Sequence, residues 1–259
     1  MEEYLGMLLF QRVKQRLVLT EAGQRYVRDI RVGLEQMQAA TVNLLASQGN
    51  GGALNIATAP AFCTKWLIPR LARFTSAHPN VLINLTTRDL PFDLEREQVD
   101  AAFHYGFNDW PGVLADSLVG HEMAVACSPR YLAEHPPLRN ARDLANHVLL
   151  QHTRRPNQWR EWLEAKQAAS FNAWSGPRFE HFYMITQAAI AHLGVSLLPR
   201  LLIEDDLMAG RLVIALDEPY RSAESYCLVY LASKRNDPRL EAFRRWLLDE
   251  AAVATSRPA

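Results

Sequence analysis

Residues 54–86 read LNIATAPAFCTKWLIPRLARFTSAHPNVLINLT. Leu54, Ile56 and Thr58 alternate with Asn55 and Ala57, the period-two pattern of a strand. Residues 58–62 follow as a loop. Trp66, Leu67, Leu71 and Phe74 then mark the apolar face of a helix. Pro69 sits near its start, where a missing N–H is harmless. His78-Pro79-Asn80 is a turn, and residues 81–86 are a second strand. Strand, helix and strand in this order imply parallel pairing and an α/β domain.

Downstream the alternation continues. An acidic helical turn at 93–97 leads to a third strand at 100–104, and another strand lies at about 122–127. After Ser128-Pro129 the pattern starts over, with a helix from Tyr131, a break at Pro136-Pro137, a strand at 148–150 and a helix at 159–166. Phe179 follows a strand and heads a helix to about 192. A strand at 194–198, a helix at 201–209 and a strand at 212–215 come next. Strand 225–232 and an amphipathic helix at 238–250 close the chain, and the tail after Ala252 reads as frayed. Two successive α/β units with a final strand and helix indicate two lobes joined by crossing strands, a periplasmic-binding-protein-like architecture. The first lobe is expected at about 54–128 plus 228–252, the second at about 129–227. A cleft between such lobes gathers strand ends and helix N-termini, whose backbone N–H groups hold small anions.

Upstream of this domain, residues 20–48 read as one long helix. Tyr26, Ile30, Gly33, Met37, Ala40 and Leu44 are spaced as a heptad seam. Thr20 is placed to cap the first turn, and the helix stops at Gly49-Asn50-Gly51-Gly52. At 1.5 Å per residue it is roughly 40 Å long. It is either a dimerisation and linker helix or one edge of a local bundle. Residues 1–19 contain a short helix ended by Gly6, then Val13, Leu17 and Leu19 with Arg12, Lys14 and Arg16 among them, a basic hairpin.

Composition narrows the function. The 259 residues carry 28 Lys plus Arg against 28 Asp plus Glu, so no overall field favours coating a nucleic acid. The acidic start and the lack of a membrane-length apolar run argue for a cytoplasmic protein with no membrane partner. Cys63, Cys127 and Cys227 show no paired spacing and read as reduced thiols. The histidines are too scattered for a metal site. No nucleophile elbow, P-loop or HExxH is present, so no enzyme chemistry and no cofactor are expected.

The wording itself is specific. Glu2-Glu3-Tyr4-Leu5-Gly6, Leu9-Phe10-Gln11-Arg12 and Leu17-Val18-Leu19-Thr20-Glu21-Ala22-Gly23 resemble the end of the LysR-type winged helix-turn-helix and the start of its linker helix. Pro60-Ala61-Phe62, Trp66-Leu67-Ile68-Pro69-Arg70-Leu71, Trp110-Pro111-Gly112, Cys127-Ser128-Pro129 and Asp206-Leu207-Met208-Ala209-Gly210-Arg211-Leu212 resemble the effector domain of the same family. They are most similar to the branch of the glycine-cleavage activator and the β-lactamase regulator. The resemblance implies a transcriptional regulator that binds DNA and a small effector, and a homodimer or homotetramer. It also implies that Met1 falls on the last turn of the recognition helix. On that expectation residues 1–19 are a remnant, Arg12, Lys14 and Arg16 touch only phosphates, and the chain as written binds no specific operator. The competing expectation is a stand-alone small-molecule-binding protein without DNA activity.

The resemblance places the effector among Thr58, Ala61 and Phe62, then His104 and Tyr105, then Glu180, His181 and Phe182. Ala61 stands where the family often has a hydroxyl. His104 replaces an Arg, which would make a charge contact pH-sensitive, and Glu180 and His181 replace smaller residues. An anionic effector unlike the branch's better-known ones is implied. Tyr105 and Phe182 divide evenly between packing and contact, His104 reads first as a hydrogen-bonded lobe residue, and His181 is even between the two roles.

Overall fold

The computed structural model describes residues 1–47, 52–87, 92–106, 112–120, 122–169 and 171–255. The chain forms two units, Met1–Ala53 and Leu54–Ala259. The expected helix stop at Gly49-Asn50-Gly51 lies outside the described residues, as do Trp110, Pro111 and the side chains of Ala40 and Leu44.

The first unit holds α1 (Glu2–Leu5), β1 (Phe10–Val13), β2 (Arg16–Leu19) and α2 (Glu21–Ser47). β1 and β2 form an antiparallel hairpin in which Phe10 faces Leu19 and Val13 faces Arg16. Lys14 and Gln15 make its tip, both with positive φ (45° and 65°). A two-residue turn needs that to match the strand twist. Arg12, Lys14 and Arg16 are exposed. Thr20 caps α2 as expected: its Oγ1 accepts the Gly23 N–H at 3.0 Å and donates to the Leu8 carbonyl at 2.7 Å. In the single chain Ile30 and Met37 of the seam are 44% and 68% exposed.

The second unit continues with β3 (Ala53–Thr58), α3 (Pro60–Phe62), a π-turn (Cys63–Leu67), α4 (Ile68–Ala77), β4 (Leu82–Thr87), β5 (Ala101–Gly106), β6 (Val113–Val119), β7 (Glu122–Cys127), α5 (Pro129–Glu134), β8 (Gln151–His152), α6 (Gln158–Ala165), β9 (Arg178–Phe179), α7 (Phe182–Ile190), β10 (Ser196–Pro199), α8 (Glu204–Met208), β11 (Val213–Arg221), β12 (Ser225–Leu231) and α9 (Pro238–Thr255). Residues 60–62 are helical rather than a loop, with Pro60 in the first turn. Pro69 therefore lies inside a continuous helical run, and the π-turn directly before it relieves the clash between a proline ring and the carbonyl one turn back.

Two sheets define two lobes. The first has strand order β4-β3-β5-β12-β6, the second β10-β7-β11. β3 and β5 are parallel, while β12 runs antiparallel to both β5 and β6. β7 pairs with β10 and β11, so the chain enters the second lobe between Val119 and Glu122, earlier than the expected 128. It returns between β11 and β12. β6 was not read as a strand, because Asp116 and Ser117 interrupt its apolar pattern. α9 lays Leu240, Phe243 and Leu247, all fully buried, against the first sheet.

Residues 148–152 run between two neighbours in the second lobe. Leu150 N–H donates to the Val195 carbonyl at 2.9 Å, and Gln151 N–H to the Pro177 carbonyl at 2.9 Å. Glycines allow both approaches: a Cβ at Gly194 would lie 2.4 Å from the Val148 oxygen, and one at Gly176 (φ 129°) 2.1 Å from the Leu149 oxygen.

Candidate functional site

The lobes meet where β3 and β5 end, against α7. One apolar cluster spans the junction, joining Phe62, Phe103 and Tyr105 of the first lobe to Phe182, Ile185 and Leu198 of the second. Phe62 is fully buried and stacks on Tyr226 at 4.2 Å and on Trp66 at 5.0 Å. Tyr105 meets Phe182 edge-on at 5.7 Å, and its hydroxyl donates to Met123 Sδ at 3.4 Å across the junction. Burial pushes the Tyr105 phenol pKa up, against the pull of Arg155.

The helix termini carry the polar chemistry. α7 starts at Phe182 behind His181, which provides no side-chain cap. The N–H groups of Met184 and Ile185 bond the His181 carbonyl. Those of Phe182 and Tyr183 have no partner among the described residues. Unpaired N–H groups and the helix dipole make this end a ready anion seat. α3 touches α7, and its own cap residue, Ala59, also lacks an acceptor side chain.

The expected contact residues divide. Thr58, Ala61 and Phe62 lie at the end of β3 and the start of α3, all buried. Tyr105 and Phe182 are core packing residues. Glu180 is exposed and ion-paired with Arg154 at 2.5 Å, which holds its carboxyl below the usual range. His181 stacks on Tyr183 at 5.3 Å. His104 does not join them. It faces Cys227 across the sheet, in line with Ala102, Ala57 and Val229, the side opposite Tyr105. Successive residues of a strand point to opposite faces, so His104 and Tyr105 cannot both line one cleft. The His104 ring folds along its own strand, where a Cβ at Gly106 would lie 2.5 Å from Nε2.

Three polar groups at the junction were not singled out in the sequence. Arg155 of the second lobe pairs with Glu224 and donates Nη2–H to the Tyr105 carbonyl at 2.5 Å, with its guanidinium 4.5 Å over the Tyr105 ring. Lys65 of the first lobe reaches Asp206 of the second at 3.2 Å, and Arg211 holds the same carboxylate at 2.6 Å. His152, at the end of β8, is 8% exposed and meets Phe182 edge-on at 4.7 Å. Polar Gln151 and His152 closing an apolar strand were the available signal.

Among the described residues no group of His, Cys, Asp and Glu is arranged to hold a metal ion, and no helix is long and apolar enough to cross a membrane. The three cysteines are buried and unbridged, and burial pushes Cys127 up to about 12 and Cys227 up to about 11. Neither is a nucleophile at neutral pH.

Residues 47–252 match the family model of the LysR substrate binding domain. The chain is 35% identical over 253 residues to the glycine cleavage system transcriptional activator of Escherichia coli, covering 98% of this chain and 82% of that protein. It is similar to the effector domain of the transcriptional regulator AmpR of Pseudomonas aeruginosa, with TM-score 0.71, 28% identity and coverage of 78% of this chain and 96% of that one. It is also similar to CrgA, a LysR-type transcriptional regulator from Neisseria meningitidis, with TM-score 0.67, 27% identity and coverage of 96% and 86%. These relatives are regulators, not enzymes. With an effector-binding domain of two lobes matched over most of its length, the chain belongs to the LysR family of transcriptional regulators.

Proposed function

We propose that this regulator senses a small anionic effector at the junction of its two lobes, between the turn at 58–62 and the start of α7. The observation that carries this reading is the uncapped N-terminus of α7, which points unpaired N–H groups out of an otherwise apolar junction. Arg154 beside it adds positive charge, with Glu180 as a built-in competitor. A ligand shifts the protein only if it binds one lobe arrangement better than another. The Arg155 and Lys65 contacts between lobes are the ones such a shift would change.

The remaining roles follow the family. The exposed Arg12, Lys14 and Arg16 on the β1–β2 hairpin suit contacts to DNA phosphates. The exposed Ile30 and Met37 of the α2 seam suit pairing with a second copy as a dimer, or two such pairs as a tetramer.

The test is a thermal-shift screen of the full chain against a metabolite collection, followed by small-angle scattering of the chain with and without each hit. An anionic hit that changes the scattering profile is the expected result. A hit that leaves the profile unaltered, or a screen in which only cations bind, would overturn the reading.

A further inference from the structure

His152 is 8% exposed, yet only one of its ring nitrogens has a protein partner among the described residues. Nδ1 lies 3.2 Å from the backbone N of Arg154. A backbone N–H can only donate, so Nδ1 presents its lone pair there. In a neutral imidazole the proton then sits on Nε2. Nε2 is not one of the nitrogens sealed from solvent without a partner. Strand alternation puts His152 on the same face as Leu150, which packs in the apolar cluster spanning the junction, and the ring meets Phe182, the first residue of α7, edge-on at 4.7 Å. Nε2–H is thus a donor that a bound acceptor can take in place of water.

We propose that His152 sets the specificity of the effector site: its Nε2–H donates to a carboxylate of the bound effector, whose other oxygen takes the free N–H groups at the start of α7. This rests on the effector reading above and names the group that recognises the ligand. The seat combines a neutral donor, a helix N-terminus and the nearby Arg154, so it selects an acceptor, favours an anionic one and rejects an ammonium. Burial, and then the Arg155, His181 and Arg154 charges, hold the imidazolium pKa at about 3, against Glu180. The ring is therefore a neutral donor at physiological pH and its tautomer is fixed. Recognition through His152 is insensitive to pH in that range, in contrast to the pH-sensitive contact expected of His104.

Two substitutions separate the two nitrogens. His152→Asn places an amide oxygen near Nδ1, which preserves the Arg154 contact and removes the junction donor. His152→Gln places an amide N–H near Nε2, which preserves the donor and disturbs the Arg154 contact. The full chain and both variants are titrated calorimetrically with glycine, L-alanine, L-glutamate, pyruvate and succinate, and with glycinamide and succinamide as matched neutral probes. At least one carboxylate is expected to bind. His152→Asn should weaken it by roughly tenfold to a hundredfold, the value of one hydrogen bond to a charged group, while His152→Gln stays near wild type.

Nitrogen-15 correlation spectra of the histidine-labelled chain should show His152 protonated on Nε2, with that signal moving on titration. Carboxylate binding that is indifferent to His152→Asn, or a proton on Nδ1, overturns the proposal. Binding of the neutral probes alone overturns it while leaving an interlobe sensor intact. A set in which nothing binds removes the carboxylate class.

Discussion

The Arg155 guanidinium donates to the carbonyl of Tyr105, so a side chain of the second lobe closes onto the end of the first lobe's central strand. The same group pairs with Glu224, beside the return crossing, and lies over the Tyr105 ring. All of these partners are largely shielded, so water replaces the lost contacts poorly. Arg155→Ala is expected to lower the unfolding free energy by about 1–3 kcal/mol and to expand the molecule. Denaturant titration and small-angle scattering check both. An unchanged scattering profile with unchanged stability would show that the clasp does not hold the lobes.

Asp206 provides the second tie. It is 2% exposed and serves Lys65 from the other lobe as well as Arg211. Breaking a fully buried pair is worth about 3–5 kcal/mol, but here both cations reach water and can be resolvated. Asp206→Asn is therefore expected to cost less, about 1–3 kcal/mol, and Lys65→Met less again. A thermal melt in which Lys65→Met is the worse variant would show that Asp206 is not the centre of this tie.

Acid should destabilise this protein through His152. Its folded pKa, about 3, lies below the ordinary 6.5. Below pH 6.5 the unfolded chain takes up a proton that the folded chain refuses, so stability is present above 6.5 and drains as pH falls toward 3. Each unit of pH in that window removes about 1.4 kcal/mol. His152→Gln cannot titrate, so the gap between the two proteins should shift by about 2 kcal/mol between about pH 7.5 and about pH 5. Urea unfolding at both values reads it. The lowered carboxyls of Glu250 and Asp237 act in the same direction but are common to both proteins.

Glu180 competes for Arg154 at the mouth of the site. The pair is half exposed, so removing it should leave stability nearly unchanged. Glu180→Gln is instead expected to tighten an anionic effector several-fold by releasing the guanidinium. Calorimetry with the best carboxylate decides, and weaker binding would mean that Glu180 itself touches the ligand.

The α2 seam predicts association. Ile30→Lys with Met37→Lys should convert the assembly to a smaller species by light scattering, because unpaired charges in a closed seam cost several kcal/mol. An oligomer that survives both changes would place the contact elsewhere.

Much of this fold was written locally. The Thr20 cap, the long helix and the alternation of strands with helices each depend on neighbours in sequence. β6 was not legible, because an edge strand needs few apolar residues and Asp116 finds its partner, Arg244, far along the chain. The lobe boundary slipped for the same reason: β7 reads as a strand in isolation, and only pairing tells which sheet it joins. At the site, Phe62, Tyr105 and Phe182 lie in the apolar cluster at the junction and are packed into it. The misplacement of His104 was avoidable, since period two already sets it against Tyr105. His152 was not readable, because its tautomer is decided by a backbone turn two residues away.

The glycine pair at 176 and 194 carries the last consequence. Residues 148–150, pinched between them, lead straight into His152. A methyl group at either glycine must push that strand aside, because the obstruction is backbone and not a pliable side chain. A hydrogen bond tolerates only a few tenths of an ångström. With the effector seated at His152 as proposed, ligand preference is open to retuning from the back of the second lobe. A drifting lineage then exchanges one effector for another while every residue that touches it stays the same.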